Sequence, residues 1–132
     1  MTSVYRNRIV KQACFCANIG LDMNFKEFQK KAVKTAFYPN KYKIIYSAMG
    51  LGNEAGEVLG KIKKWLRGDD GDGEMNKERK QALKGELGDV LWYLAVLARD
   101  LDLDLSEIAQ ENIEKLASRK ERGKLTGDGD KR

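Results

Sequence analysis

Residues 85–98 read Gly-Glu-Leu-Gly-Asp-Val-Leu-Trp-Tyr-Leu-Ala-Val-Leu-Ala, and this stretch holds both the fold and the chemistry of the chain. From Leu87 to Ala98 it is apolar nearly all round, and a helix apolar on every side must be surrounded. Glu86 and Asp89 stand in the same stretch at i, i+3, so on a helix they leave one face a turn apart. Among apolar neighbours an unpartnered charge is expensive to bury, so the pair asks for a cation.

An earlier segment, Gly52-Asn53-Glu54-Ala55-Gly56-Glu57-Val58, repeats the arrangement with Glu54 and Glu57. For either pair alone, a surface salt bridge to Lys61, Lys63 or Lys84 would be a sufficient account. Two pairs on successive antiparallel helices change the balance, because the turn between the helices brings both faces together. Up to four carboxylates then share one small space, where they repel strongly unless a cation sits among them. With oxygen donors only, the natural cation is a hard divalent ion, Mg²⁺ or Mn²⁺.

Composition narrows the chemistry further. The chain has no histidine, which removes imidazole zinc sites, Ser-His-Asp and Cys-His nucleophiles, and the histidine-containing di-iron sites of helical bundles. Its two cysteines, Cys14 and Cys16, have no companions for a zinc cluster or a disulfide framework, which suits a reducing cytoplasm. At 132 residues one domain with a real core is expected. The charged fraction of 34% and the single proline point to helix-rich, soluble material, and the net charge of +5 reads as a solvated helical surface. No stretch approaches the roughly 18 apolar residues that span a bilayer. Ala13–Leu21 follows Arg6, Arg8 and Lys11 but lacks a small-residue cleavage site, so the sequence argues against export.

Working outward, the pattern gives four helices. The first starts at Asn24, with Glu27 at capping-box spacing; Phe25, Phe28, Ala32 and Ala36 form its stripe, and it ends before Tyr38-Pro39. The second runs from about Tyr42 to Arg67. Gly52, Gly56 and Gly60 fall within it and form, with Ala48, a small-residue stripe that is expected to let another helix approach beside the acids. Gly68-Asp69-Asp70-Gly71-Asp72-Gly73 breaks it as a polar loop without the offsets of an EF-hand. The third helix covers roughly Asn76–Asp100. The fourth starts near Asp104–Ser106, with Glu107 in a second capping-box arrangement, and ends near Gly123. The fold class is therefore all-α, a four-helix bundle; four helices of this size struggle to enclose the third, so dimerisation is expected to complete the fold. Residues 1–22 read as an N-terminal extension of uncertain structure, and residues 23–132 as the catalytic domain with a mobile, glycine- and charge-rich tail.

The acidic signature, Glu54-x-x-Glu57, then twenty-eight residues, then Glu86-x-x-Asp89, resembles that of the MazG-like nucleoside triphosphate pyrophosphohydrolases, the all-α NTP pyrophosphatases. The likeness extends to Gly-Asn-Glu-Ala-Gly-Glu-Val, to Gly-Glu-Leu-Gly-Asp-Val-Leu-Trp-Tyr, to the opening Asn24-Phe25-Lys26-Glu27-Phe28-Gln29, and to the ending Asn112-x-x-Lys115-Leu116-x-x-Arg119-x-x-Arg122-Gly123. One departure is Asn53, which stands where the family commonly has a further glutamate. The resemblance implies Mg²⁺-dependent hydrolysis of a nucleoside triphosphate, (d)NTP, to the monophosphate and pyrophosphate, in the service of removing non-standard or excess nucleotides. It implies Glu54, Glu57, Glu86 and Asp89 as metal ligands, with Glu54 or Glu57 as the catalytic base acting through water. Asn112 and Lys115 are the substrate residues the resemblance supports best. Lys64, Arg119 and Tyr93 are further candidates, Tyr93 because it lies four residues beyond Asp89 on the same face. Trp65 and Trp92 could stack on a base, although core packing suits each of them better.

A homodimer or homotetramer, a cytoplasmic location and no membrane association complete the expectation. The rival reading is a non-catalytic basic helical module that binds nucleic acid or a protein partner; the acids argue against nucleic acid, since they repel phosphate without a metal. A third reading is a different metal-dependent nucleotide hydrolase on the same scaffold, which would release orthophosphate.

Overall fold

In the computed structural model, residues 23–69 and 73–126 are described; residues 1–22, with Cys14 and Cys16, the loop centre 70–72 and the tail 127–132 lie outside them. Helix α1, Phe25–Val33, is capped by Asn24, whose side-chain oxygen accepts the Glu27 N–H at 2.9 Å. It stops three residues earlier than its stripe suggests. The N–H groups of Lys34, Thr35 and Ala36 each reach back only three residues, and the Thr35 hydroxyl donates to the Ala32 carbonyl at 2.7 Å. This local bonding tightens the last turn and ends the α-helix. Ala36 still packs on the core.

After Pro39 a short 3-10 turn, Asn40–Tyr42, leads into α2, Lys43–Arg67. Gly68 ends α2 with φ at 73°, the left-handed geometry that glycine adopts without a Cβ penalty. Helix α3, Lys77–Asp100, begins under Asn76, which accepts the Arg79 N–H at 2.9 Å. Helix α4, Leu105–Glu121, begins under Asp104, which accepts the Ser106 N–H at 2.7 Å. The N–H of Ser106, and then that of Glu107, hold the Asp104 carboxyl below the usual carboxylate range, as anions at a helix N-terminus are stabilised.

The long helices α2 and α3 pair as an antiparallel hairpin, α1 packs on α3, and α4 packs on α1 and α3 without touching α2. The described elements are all helical, so the all-α expectation holds. Ala32, Ala95, Val96 and Leu105 form the buried centre, with Phe28, Ala36, Trp92, Tyr93 and Leu94 around it. Gln29 ties three elements together: its amide donates to the carbonyls of Ala95 (3.2 Å) and Leu103 (3.0 Å), and its oxygen accepts the Leu105 N–H at 3.3 Å. The bonds to Leu103 and Leu105 satisfy backbone groups at the α3–α4 turn, outside the reach of intrahelical partners.

Two expectations change. The all-round apolar helix is enclosed only in its second half; Leu87, in the first, is 56% exposed. A Cβ at Gly52, Gly56 or Gly60 would meet nothing within 4 Å, so no helix among the described residues lies close over that stripe. Gly50 is the glycine that close packing requires, because a Cβ there would collide with the Tyr93 ring.

Candidate metal centre

The antiparallel register of α2 and α3 sets Glu54 opposite Glu86 and Asp89. One carboxylate oxygen from each of these three lies within 4.8 Å of the others. Glu54 and Glu86 are half-buried and Asp89 is exposed, which leaves the group open on one side. Opposite ligands of an ion bound at about 2.1 Å sit about 4.2 Å apart, so small side-chain rotations would bring these oxygens onto one hard cation. Lys61 already pairs with Glu86 at 3.0 Å; one ammonium against three carboxylates leaves an excess of negative charge. Asn53, at the family's extra-glutamate position, reaches Glu54 Oε1 only at 3.5 Å, too long for a firm bond.

The fourth acid, Glu57, is exposed and lies outside this group. The i, i+3 spacing alone does not decide this, since Glu86 and Asp89 share it and both join the group.

Tyr93 is the candidate substrate residue nearest the acids. Burial, then the charge and hydrogen bond of Tyr46, then the charges of Glu54 and Asp89 push its phenol above the ordinary tyrosine value. It therefore stays protonated and able to donate at neutral pH. Lys64 lines a recess of about 160 Å³ with Lys61, Trp65, Met75 and Leu83, about two to three turns along α2 from Glu54. Asn112 and Lys115 line a different recess on α4, with Ile108 and Glu111, into which none of the three grouped acids projects. Arg119 is buried rather than solvated. Both indole N–H groups serve the fold: Trp65 donates to the Gly73 carbonyl at 2.8 Å and Trp92 to the Thr35 hydroxyl at 2.7 Å.

The structure defines an all-α hairpin whose converging carboxylates could hold a hard cation, and comparison with known proteins supplies the family. Residues 47–123 match the family model described as MazG nucleotide pyrophosphohydrolase domain, a span that contains all four acids and the α4 candidates Asn112, Lys115 and Arg119. The chain belongs to that family. It is also 45% identical over 116 residues to the Gene 37 protein of Mycobacterium phage L5, covering 83% of this chain and 100% of that protein. No solved structure matches. Among the described residues, no helix is long and apolar enough to cross a membrane.

Proposed function

We propose that the chain hydrolyses a nucleoside triphosphate to the nucleoside monophosphate and pyrophosphate with a divalent metal, Mg²⁺ or Mn²⁺ in its place. The observation that carries this reading is the convergence of Glu54, Glu86 and Asp89 on one point of the α2–α3 hairpin in a chain of this family. Glu54, Glu86 and Asp89 would hold the ion, which when bound neutralises phosphate oxygens and lowers the pKa of water. Glu57, one turn from Glu54 and outside the group, is the carboxylate to which we assign the proton of the attacking water. Water attacks the α-phosphorus, the bond to the α–β bridging oxygen breaks, and pyrophosphate leaves. Tyr93 donates to a phosphate oxygen, and Lys64 adds positive charge further along α2.

Asn112 and Lys115 do not share a recess with the acids of their own chain. Leu59, Leu66 and Leu87 are exposed on the hairpin, as are Ile113 and Leu116 on α4. Exposed apolar surface of this kind marks interfaces, and a homodimer or homotetramer would cover it and carry α4 to a substrate held by another copy. Removal of non-standard or excess nucleotides in the cytoplasm is the role we assign.

The test is a screen of standard and modified nucleotides with Mg²⁺ and with chelator, with the products identified. Monophosphate and pyrophosphate are expected with Mg²⁺ alone. Orthophosphate as the product would replace this reading with that of a different phosphohydrolase, and no turnover of any nucleotide would remove it.

A further inference from the structure

Of the described α-helices only α3 packs on α2, and small residues stand on the face of α2 that meets it. Ser47, fully buried, returns its hydroxyl to the Lys43 carbonyl of its own helix at 2.8 Å. Three residues on, at Gly50, the Tyr93 ring of α3 lies where a side chain would stand: a Cβ there would collide with ring atoms Cδ1, Cε1 and Cζ. One turn further along α2 comes Glu54, which meets Asp89 in the candidate metal centre. Asp89 in turn stands one turn before Tyr93 on α3. Gly50 with Glu54 and Asp89 with Tyr93 are therefore both i, i+4 pairs, and they form two adjacent layers of one antiparallel seam. The ring has a second neighbour. Trp92 packs edge-on against it, with centroids 4.8 Å apart and planes at 87°, and Trp92 is itself held by its N–H bond to the Thr35 hydroxyl at 2.7 Å.

We propose that Gly50 is a positioning residue of the metal centre: by leaving its side-chain space to the Tyr93 ring, it lets α2 lie close enough to α3 for Glu54 to join Asp89 and Glu86. The inference rests on the metal site of the functional reading above. Helix separation follows the size of the side chains at the contact. A methyl group at residue 50 would have to part the helices or expel the ring, and Trp92 resists the second. A stiff helix carries a shift at Gly50 to Glu54, only about 6 Å along its axis. The site tolerates little of it. Its carboxylate oxygens already stand up to 4.8 Å apart, against the roughly 4.2 Å that opposite ligands of one small hard ion span.

The test is Mn²⁺ affinity without nucleotide, read by electron paramagnetic resonance. Gly50→Ala should weaken binding by about tenfold or more, the scale on which residues that support metal ligands act. Residue 50 lies inside α2 without a positive φ, and alanine favours a helix more than glycine does, so a loss cannot come from a weakened helix. Gly52→Ala is the control. A Cβ there meets nothing within 4 Å, and its affinity should equal that of the unaltered chain. The deciding variant is Gly50→Ala with Tyr93→Ala, which removes the ring that collides; its affinity should match that of Tyr93→Ala alone. Unchanged affinity in Gly50→Ala, an equal loss in Gly52→Ala, or a double variant that binds about tenfold more weakly than Tyr93→Ala each overturns the proposal. If Gly50→Ala fails to fold, the double variant still decides by the same comparison. A metal-free readout accompanies it: nuclear Overhauser contacts between the Gly50 Hα protons and the Tyr93 ring are expected in the unaltered chain, and their absence overturns the proposal. Failure of the unaltered chain to bind Mn²⁺ overturns both the metal site and this inference; binding that Gly50→Ala leaves intact overturns only the role of Gly50.

Discussion

The two halves of α3 live in opposite surroundings. In the second half Ala95, Val96, Ala98 and Asp100 are buried, and the Gln29 side chain of α1 bonds the backbone there. In the first half Leu87 is exposed, and a Cβ added at Gly85 or Gly88 would meet nothing within 4 Å. Yet the first half carries Glu86 and Asp89. One helix thus serves as core at one end and as site carrier at the other. The chain's own apolar surface is concentrated where the fold must be held, and the acids stand where a cation and a substrate can reach them. The open half also leaves Leu87 exposed in the single chain.

The largest effect that could break this contrast is on turnover. Asp89→Ala and Glu57→Ala should each lower Mg²⁺-dependent hydrolysis by about 100-fold or more, since several kcal/mol of charge stabilisation or proton transfer is lost. Circular dichroism of both variants should match the unaltered chain, because neither side chain lies in the buried core. Near-normal turnover in Asp89→Ala would detach the open half of α3 from the chemistry.

Packing gives the next effect. Val96 is fully buried, so Val96→Ala should destabilise by about 2 kcal/mol through two lost methyl groups and the space left behind. Leu87→Ala, more than half exposed in the single chain, should alter denaturant stability of the isolated subunit by less than about 0.5 kcal/mol and instead shift the light-scattering mass toward monomer. A loss of 2 kcal/mol in both variants at a dilution where only monomer is present would erase the contrast.

Much of the fold was legible because its signals are local. Asn24, Asn76 and Asp104 cap the helices they precede, and Gly68 ends α2, each a matter of a few neighbouring residues. The convergence of Glu54 with Glu86 and Asp89 was legible from matched spacing on two helices joined by one turn. What spacing could not show is which surfaces meet. A glycine stripe states where a helix could come close; Gly52, Gly56 and Gly60 face open space, and the contact falls at Gly50, off the stripe. The i, i+3 spacing was read as bringing Glu57 in beside Glu54 as it brings Asp89 in beside Glu86, yet Glu57 stays outside the group. Gln29 gave no local signal, because its partners lie far along the chain on α3 and at the α3–α4 turn.

A smaller effect tests the buried end of α3 through pH. The Tyr38 phenol is raised above its ordinary value of 10.0, first by burial and then by its bond to Asp100, and Tyr93 is raised as well. A phenol whose folded value exceeds its unfolded one contributes stability that is complete below about pH 10 and is lost as pH climbs through the raised value. Melting temperature should therefore decline above about pH 10, and the decline should be shallower in Tyr38→Phe. An identical decline in that variant would mean that Tyr38 takes no part in it.

The central claim is that acids from two helices make one metal site, and a Mn²⁺ titration followed by electron paramagnetic resonance tests it most directly. The unaltered chain should bind the ion saturably without nucleotide, and Asp89→Ala and Glu54→Gln should each weaken that binding, although the two residues stand on different helices. Saturable binding unchanged in both variants, or no binding to the unaltered chain, would contradict the account.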